Sequence, residues 1–257
     1  MSLLIDGTDR RHRARTLIIG GSRGVGRATA LELAGRGHDV ALAFRSSRET
    51  AETVVAELPE GARGFLVQGD IAVDGTRIVD AAAAALGGLD AVVVTAVPVV
   101  TGRLSDASRE DAAFSYDVVV NGFREVALAA RGYLAATRGN VIATSSLGSN
   151  RYASYYGVLG PAKAALESMV RYLAVEFGRD GVRVNAVSPC LIDDLAHVAD
   201  APDVLPFLSA TAKRTPLNRR LARPDDIACV IAGLLSSDFN CVTGQVIVVD
   251  GGYSLLA

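Results

Sequence analysis

The sequence predicts an α/β domain built on one doubly wound sheet of about seven mostly parallel strands, with helices on both faces. Three observations carry this. Short β-branched runs alternate with longer alanine-rich amphipathic stretches along the whole chain, the pattern of repeated βαβ units. Those stretches are long enough to cross a sheet, so successive strands are expected to run parallel. The 257 residues are 50% hydrophobic and 21% charged, and no linker, repeat or shift of composition marks a boundary within them.

Strands are expected at Thr16–Ile19, Val40–Phe44, Gly64–Val67, Ala91–Thr95, Asn140–Thr144, Val182–Val187 and Val246–Val249. Crossover helices are expected at Ala28–Arg36, Glu49–Leu58, Gly75–Leu86, Glu110–Arg138, Ala162–Gly178 and Pro224–Ser236. Pro161 reads as the first turn of the fifth of these, where a missing N–H costs nothing. Residues 1–14 are arginine-rich and lack the apolar core of a secretory signal, so they read as a flexible leader before a domain spanning residues 15–257. Residues 191–220 follow a strand, contain Pro202, Pro206 and Pro216, and read as a substrate lid.

Charge and cysteine usage exclude several classes. Lys and Arg number 26 against 28 Asp and Glu, a net charge of −2, so no global basic field holds nucleic acid or an acidic membrane. Asp90 interrupts the long apolar stretch around it, leaving no run of the ~18 residues that a membrane helix requires. Cys190, Cys229 and Cys241 are odd in number and lack C-x-x-C spacing, which argues against a disulfide framework and a structural zinc. A soluble protein of the reducing cytoplasm is expected. His197, with Asp193, Asp194 and Asp200 nearby, reads as a solvated loop, and no metal site is expected.

The chemistry concentrates after the strands. The first runs into Gly20-Gly21-Ser22-Arg23-Gly24-Val25-Gly26 and then a helix, placing Gly20, Ser22, Arg23, Gly24, Val25 and Gly26 where backbone approaches a pyrophosphate at a helix N-terminus. In this context the glycines predict a Rossmann-like dinucleotide site. The second strand ends in Phe44-Arg45-Ser46-Ser47-Arg48, without the acid that would hold a free ribose 2′-hydroxyl. Arg23 and Arg45, with Ser46 beside them, instead suit a 2′-phosphate, which favours NADPH.

Across Arg15 to Ala257 the chain resembles the short-chain dehydrogenase/reductase family. The resemblance rests on the glycine loop, Gly69-Asp70-Ile71, Ser145-Ser146, Lys163, Val184-Asn185-Ala186-Val187-Ser188-Pro189, Thr243-Gly244-Gln245 and Asp250-Gly251-Gly252. It implies that Asp70 and Ile71 contact the adenine, that Thr95 and Ala96 after the fourth strand border the cofactor, and that Pro189 to Ile192 face the nicotinamide carboxamide. It also implies a homotetramer formed through roughly Ser108–Arg138 and Tyr156–Gly178.

Departures from the family pattern are informative. Leu159 stands where ordinary members have the tyrosine four residues before Lys163, Val118 stands for the relay asparagine, and Ile19, Cys190 and Val94-Thr95-Ala96-Val97 replace other familiar residues. Tyr156, however, lies seven residues before Lys163, the tyrosine-x6-lysine spacing of bacterial enoyl-acyl-carrier-protein reductases. That likeness implies reduction of a carbon–carbon double bond in an acyl thioester, on an acyl-carrier protein or coenzyme A, in fatty-acid or polyketide-like metabolism. Tyr156 would stabilise the enolate, Lys163 would anchor the ribose, and Ser146 would orient the carbonyl. A ketoreductase using Tyr155 or Tyr156, and an NADPH-binding protein without turnover, stay open as alternatives at this stage.

Overall fold

The computed structural model describes residues 13–98, 100–194 and 205–256, with side chains from residue 207 onward in the last segment. Seven strands form one sheet in the order β3-β2-β1-β4-β5-β6-β7, with every neighbouring pair parallel. They are β1 Ala14–Ile19, β2 His38–Phe44, β3 Gly64–Gln68, β4 Ala91–Val94, β5 Asn140–Thr144, β6 Arg183–Pro189 and β7 Val246–Val249. The order in which successive strands are added reverses at the β1–β4 pair, β2 and β3 lying on one side of it and β5 to β7 on the other. The crevice beyond that pair's carboxyl ends is therefore the topological switch point at which ligands of open α/β sheets bind.

The alternation of side chains divides the core into two layers. Leu17 and Ile19, Ala41 and Ala43, and Val92 and Val94 face a layer completed by α3 (Ile71–Leu86), α5 (Gly122–Ala135) and α6 (Leu159–Gly178). Ile18, Val40, Leu42 and Val93 face the other, completed by α1 (Gly24–Gly35), α2 (Arg48–Ala56) and α8 (Pro224–Leu235). Both faces are covered, which is why the central strands read as continuous apolar runs.

The helices depart from expectation mostly at their beginnings. Helix α1 begins at Gly24, inside the glycine loop, and α3 begins at Ile71 because Asp70 caps it by accepting the Ala72 N–H. Helix α6 begins at Leu159, which places Pro161 in its first turn, where its carbonyl clash and absent donor are harmless. The expected single helix over Glu110–Arg138 is two helices, α4 (Arg109–Tyr116) and α5, joined by a π-turn at Asp117–Asn121. An i→i+5 turn leaves no periodicity signature in sequence, and such turns gather at functional sites.

Strand β1 begins two residues before its expected start: Ala14 and Arg15 belong to it, Arg13 donates to Asp39, and the Arg15 guanidinium donates to Asp90 at 2.8 Å, so residues 13 and 14, expected in a flexible leader, are part of the fold; residues 1–12 lie outside the described residues. Within 191–220, Ile192 bridges to Ala222 and α7 runs Leu205–Arg214, so part of the expected irregular segment is helical. Residues 195–204, including His197 and Asp200, lie outside the described residues. Among the described residues no helix is long and apolar enough to cross a membrane, and no His, Cys, Asp or Glu cluster could hold a metal.

Candidate active site

At the carboxyl end of β1 the chain turns through Gly20, which has φ +84, and enters α1 at Gly24, which has φ +53. Room there is decided by backbone. A methyl on Gly26 would stand 2.1 Å from the Gly20 carbonyl oxygen, and one on Gly20 would stand 2.8 Å from the Ala96 nitrogen. The first turn of α1 has no side-chain cap bond from Arg23 and contains no acidic residue. Its N–H groups, framed by Ser22, Arg23 and Val25, thus fit an anionic group such as a pyrophosphate. Thr95 acts on this loop from β4: its hydroxyl donates to the Ile19 carbonyl at 2.9 Å and to Gly20 at 3.2 Å. The residue expected beside a cofactor therefore also ties the glycine turn to the neighbouring strand.

Arg45 and Ser46 follow β2 on the same edge of the sheet. Arg45 is 62% exposed, 3.9 Å from the Asp70 carboxylate, and its carbonyl accepts from Gln68. The solvent-facing guanidinium and the Asp70–Ile71 corner thus share one end of the sheet, as a dinucleotide's adenosine half requires.

On the other side of the switch point, Lys163 is buried on α6 and donates from Nζ to the Thr144 carbonyl at 2.6 Å. Burial pulls its pKa down to about 8, opposed by the Glu167 carboxylate one turn later. Glu167 is itself buried and accepts from the Ser145 and Ser149 hydroxyls, each at 2.6 Å. The sequence does not single out Glu167: it stands at i,i+4 from Lys163, but its two serine partners lie 22 and 18 residues away and only the packing of α6 on the turn after β5 brings them to it.

Tyr156 is half-buried against the first core layer, its ring on Gly148, where a methyl would stand 2.5 Å from the ring. Burial raises the pKa of its phenol, against an opposing pull from Ser146. Tyr155 points elsewhere. It has φ +59, is 39% exposed, and packs its ring 6.3 Å from that of Phe207 on α7. A bridge holds this turn: Gly102 N–H donates to the Tyr155 carbonyl and Gly157 N–H donates to Gly102.

The π-turn brings Val118 and Val119 against Lys163, where with Val94, Ala96 and Thr144 they line a cavity of about 10 Å³. Apolar side chains thus occupy the ground where a polar relay to the lysine would run. Pro189 closes β6, Cys190 follows it with its thiol pKa raised by burial, and Ile192 packs on the second core layer. The half-buried Tyr156 ring on Gly148, the Ser146 hydroxyl after β5 and the buried ammonium of Lys163 are thus all carried by α6 and the turns that pack on it.

Comparison with known proteins places the chain in a family. The family model described as enoyl-(acyl carrier protein) reductase matches residues 20–254. The 1-cyclohexenylcarbonyl-CoA reductase of Streptomyces collinus is 38% identical over 95% of this chain and 88% of its own length. Enoyl-[acyl-carrier-protein] reductase [NADH] 2 of Rhizobium meliloti is 32% identical over 94% and 91%. Among solved structures, a short-chain dehydrogenase from Burkholderia cenocepacia in complex with NADP superposes with TM-score 0.86 at 31% identity, covering 94% of this chain and 98% of its own. Fold, glycine loop and sequence relationship together make this chain an oxidoreductase of the short-chain dehydrogenase/reductase family, in its enoyl-acyl-carrier-protein reductase-like branch.

Proposed function

We propose that the protein reduces the carbon–carbon double bond of an enoyl thioester with NADPH, the acyl group being carried on coenzyme A or an acyl-carrier protein. The observation that carries this reading is the inward placement of Tyr156 against the core, seven residues before Lys163. Bound at the glycine loop, NADPH would supply a hydride. When hydride reaches the β-carbon, charge accumulates on the thioester oxygen three bonds away, a phenol O–H is the donor such an oxyanion needs, and the α-carbon then takes its proton from solvent water. Ser146 orients the carbonyl, and Lys163, held by its bond to the Thr144 carbonyl, supplies positive charge and holds the ribose hydroxyls. The apolar Val118 beside Lys163 suits a reaction that does not refill a tyrosine proton through a relay. Arg45, with Arg23, would hold the 2′-phosphate, and the relatives named above support an enoyl thioester as substrate.

The protein would work in the cytoplasm as a homotetramer. Exposed apolar residues on the expected interface helices support that assembly: Leu128 on α5 is 39% exposed, and Tyr172 and Val175 on α6 are 70% and 78% exposed. The test is anaerobic NADPH oxidation with crotonyl-CoA and acetoacetyl-CoA side by side. Crotonyl-CoA should be consumed, and Tyr156→Phe should lower its turnover by about 10²–10³ with NADPH binding intact. Turnover of acetoacetyl-CoA alone would overturn the assignment, and inactivity of Tyr155→Phe with an active Tyr156→Phe would overturn the role of Tyr156.

A further inference from the structure

The end of β6 leads through Ile192, bridged to Ala222, to Asp194, whose N–H donates to the Ile192 carbonyl at 3.0 Å. This short path brings the half-buried Asp194 side chain over the glycine loop. A methyl on Gly24 would stand 2.5 Å from Asp194 Oδ2. The carboxylate therefore sits at the first residue of α1, a helix with no side-chain cap bond from its own N-cap residue and no acid in its first turn. An anion is favoured there by the N–H groups of the first turn and the positive end of the helix dipole. The same ground is where the proposed cofactor would lay its pyrophosphate.

Two anions cannot share that cradle. We infer that Asp194 is an internal competitor for the pyrophosphate, a residue of this chain that lowers dinucleotide affinity and must swing aside for the cofactor to bind. The inference rests on the dinucleotide site proposed above. Its consequence is specific to ligands that carry a phosphate at the α1 N-terminus. Adenosine 2′-monophosphate reaches the Arg45 corner without entering the cradle, so it should not compete with Asp194.

The test is the affinity of wild type and Asp194→Asn for NADPH and for adenosine 2′-monophosphate, by calorimetry on the full chain. Asparagine keeps the shape and removes the charge. NADPH should bind Asp194→Asn about three- to thirtyfold more tightly, the range expected for releasing one like charge at a helix N-terminus, and adenosine 2′-monophosphate should bind both proteins alike. Equal or weaker NADPH binding by the variant overturns the role of Asp194 and leaves the cofactor site standing. Tightening of both ligands to the same degree also overturns it, because that is a change of general field. Failure of both proteins to bind NADPH or NADH overturns the site and the inference together.

Discussion

Burying Lys163 makes its charge titratable near neutral pH, and this has a measurable consequence. The side chain is 3% exposed, its ammonium donates to the Thr144 carbonyl at 2.6 Å, and burial lowers its pKa from 10.5 to about 8 against the opposing pull of Glu167. At pH 7 about nine tenths of the molecules carry the charge, and at pH 9 about one tenth. If the cation anchors the cofactor, kcat/KM for NADPH should be level below pH 8 and fall about tenfold per pH unit above it. An ordinary lysine would hold the profile level to about pH 10. Glu167→Gln removes the charge that favours the ammonium, so the falling limb should move to lower pH. Lys163→Arg should retain some cofactor binding without that limb, because a guanidinium does not titrate in the range. A wild-type profile level to pH 10, or a limb unmoved in Glu167→Gln, would refute the reasoning. Stability follows the same titration with a defined sign. The folded pKa lies below the unfolded one, so the unfolded chain binds more protons between pH 8 and 10.5, and this group's contribution rises with pH across that window. The full swing is about 3 kcal/mol, it is a penalty below pH 8, and Lys163→Met should lack it in urea unfolding measured at both ends of the window.

Three further outcomes are expected. Arg45→Ala should weaken NADPH binding about tenfold to hundredfold and leave NADH binding nearly unchanged if, as proposed, the exposed guanidinium beside Asp70 holds the 2′-phosphate; equal losses in a titration of both cofactors would count against it. Gly26→Ala should abolish cofactor binding and lower the unfolding midpoint by the equivalent of about 1–3 kcal/mol, since its methyl would stand 2.1 Å from the Gly20 carbonyl oxygen, and thermal melts with and without NADPH measure both effects. Glu167→Ala should destabilise the fold by about 1–3 kcal/mol by leaving Ser145 and Ser149 without their shared acceptor, which urea unfolding at pH 7 would show.

The sheet was legible in the sequence because its signal is local. Seven apolar runs separated by crossover lengths imply parallel strands, and burial on both faces makes those runs continuous, so β1 to β7 fall within two residues of their expected positions at either end. The glycine loop was legible for a related reason: positive φ at Gly20 and Gly24, and backbone contact at Gly26, restrict the residue type itself. The Tyr156 and Lys163 pair could be picked out by spacing, but which of two adjacent tyrosines faces inward was decided only in three dimensions. There the left-handed backbone at Tyr155 and the bridge to Gly102 send one ring toward Phe207 and the other onto Gly148. The π-turn at Asp117–Asn121, the carboxylate of Glu167 beneath two serines and the approach of Asp194 to Gly24 were likewise beyond the sequence. Each depends on residues far apart in the chain, or on a turn with no side-chain periodicity, and only the packing of helices against the finished sheet brings those groups together.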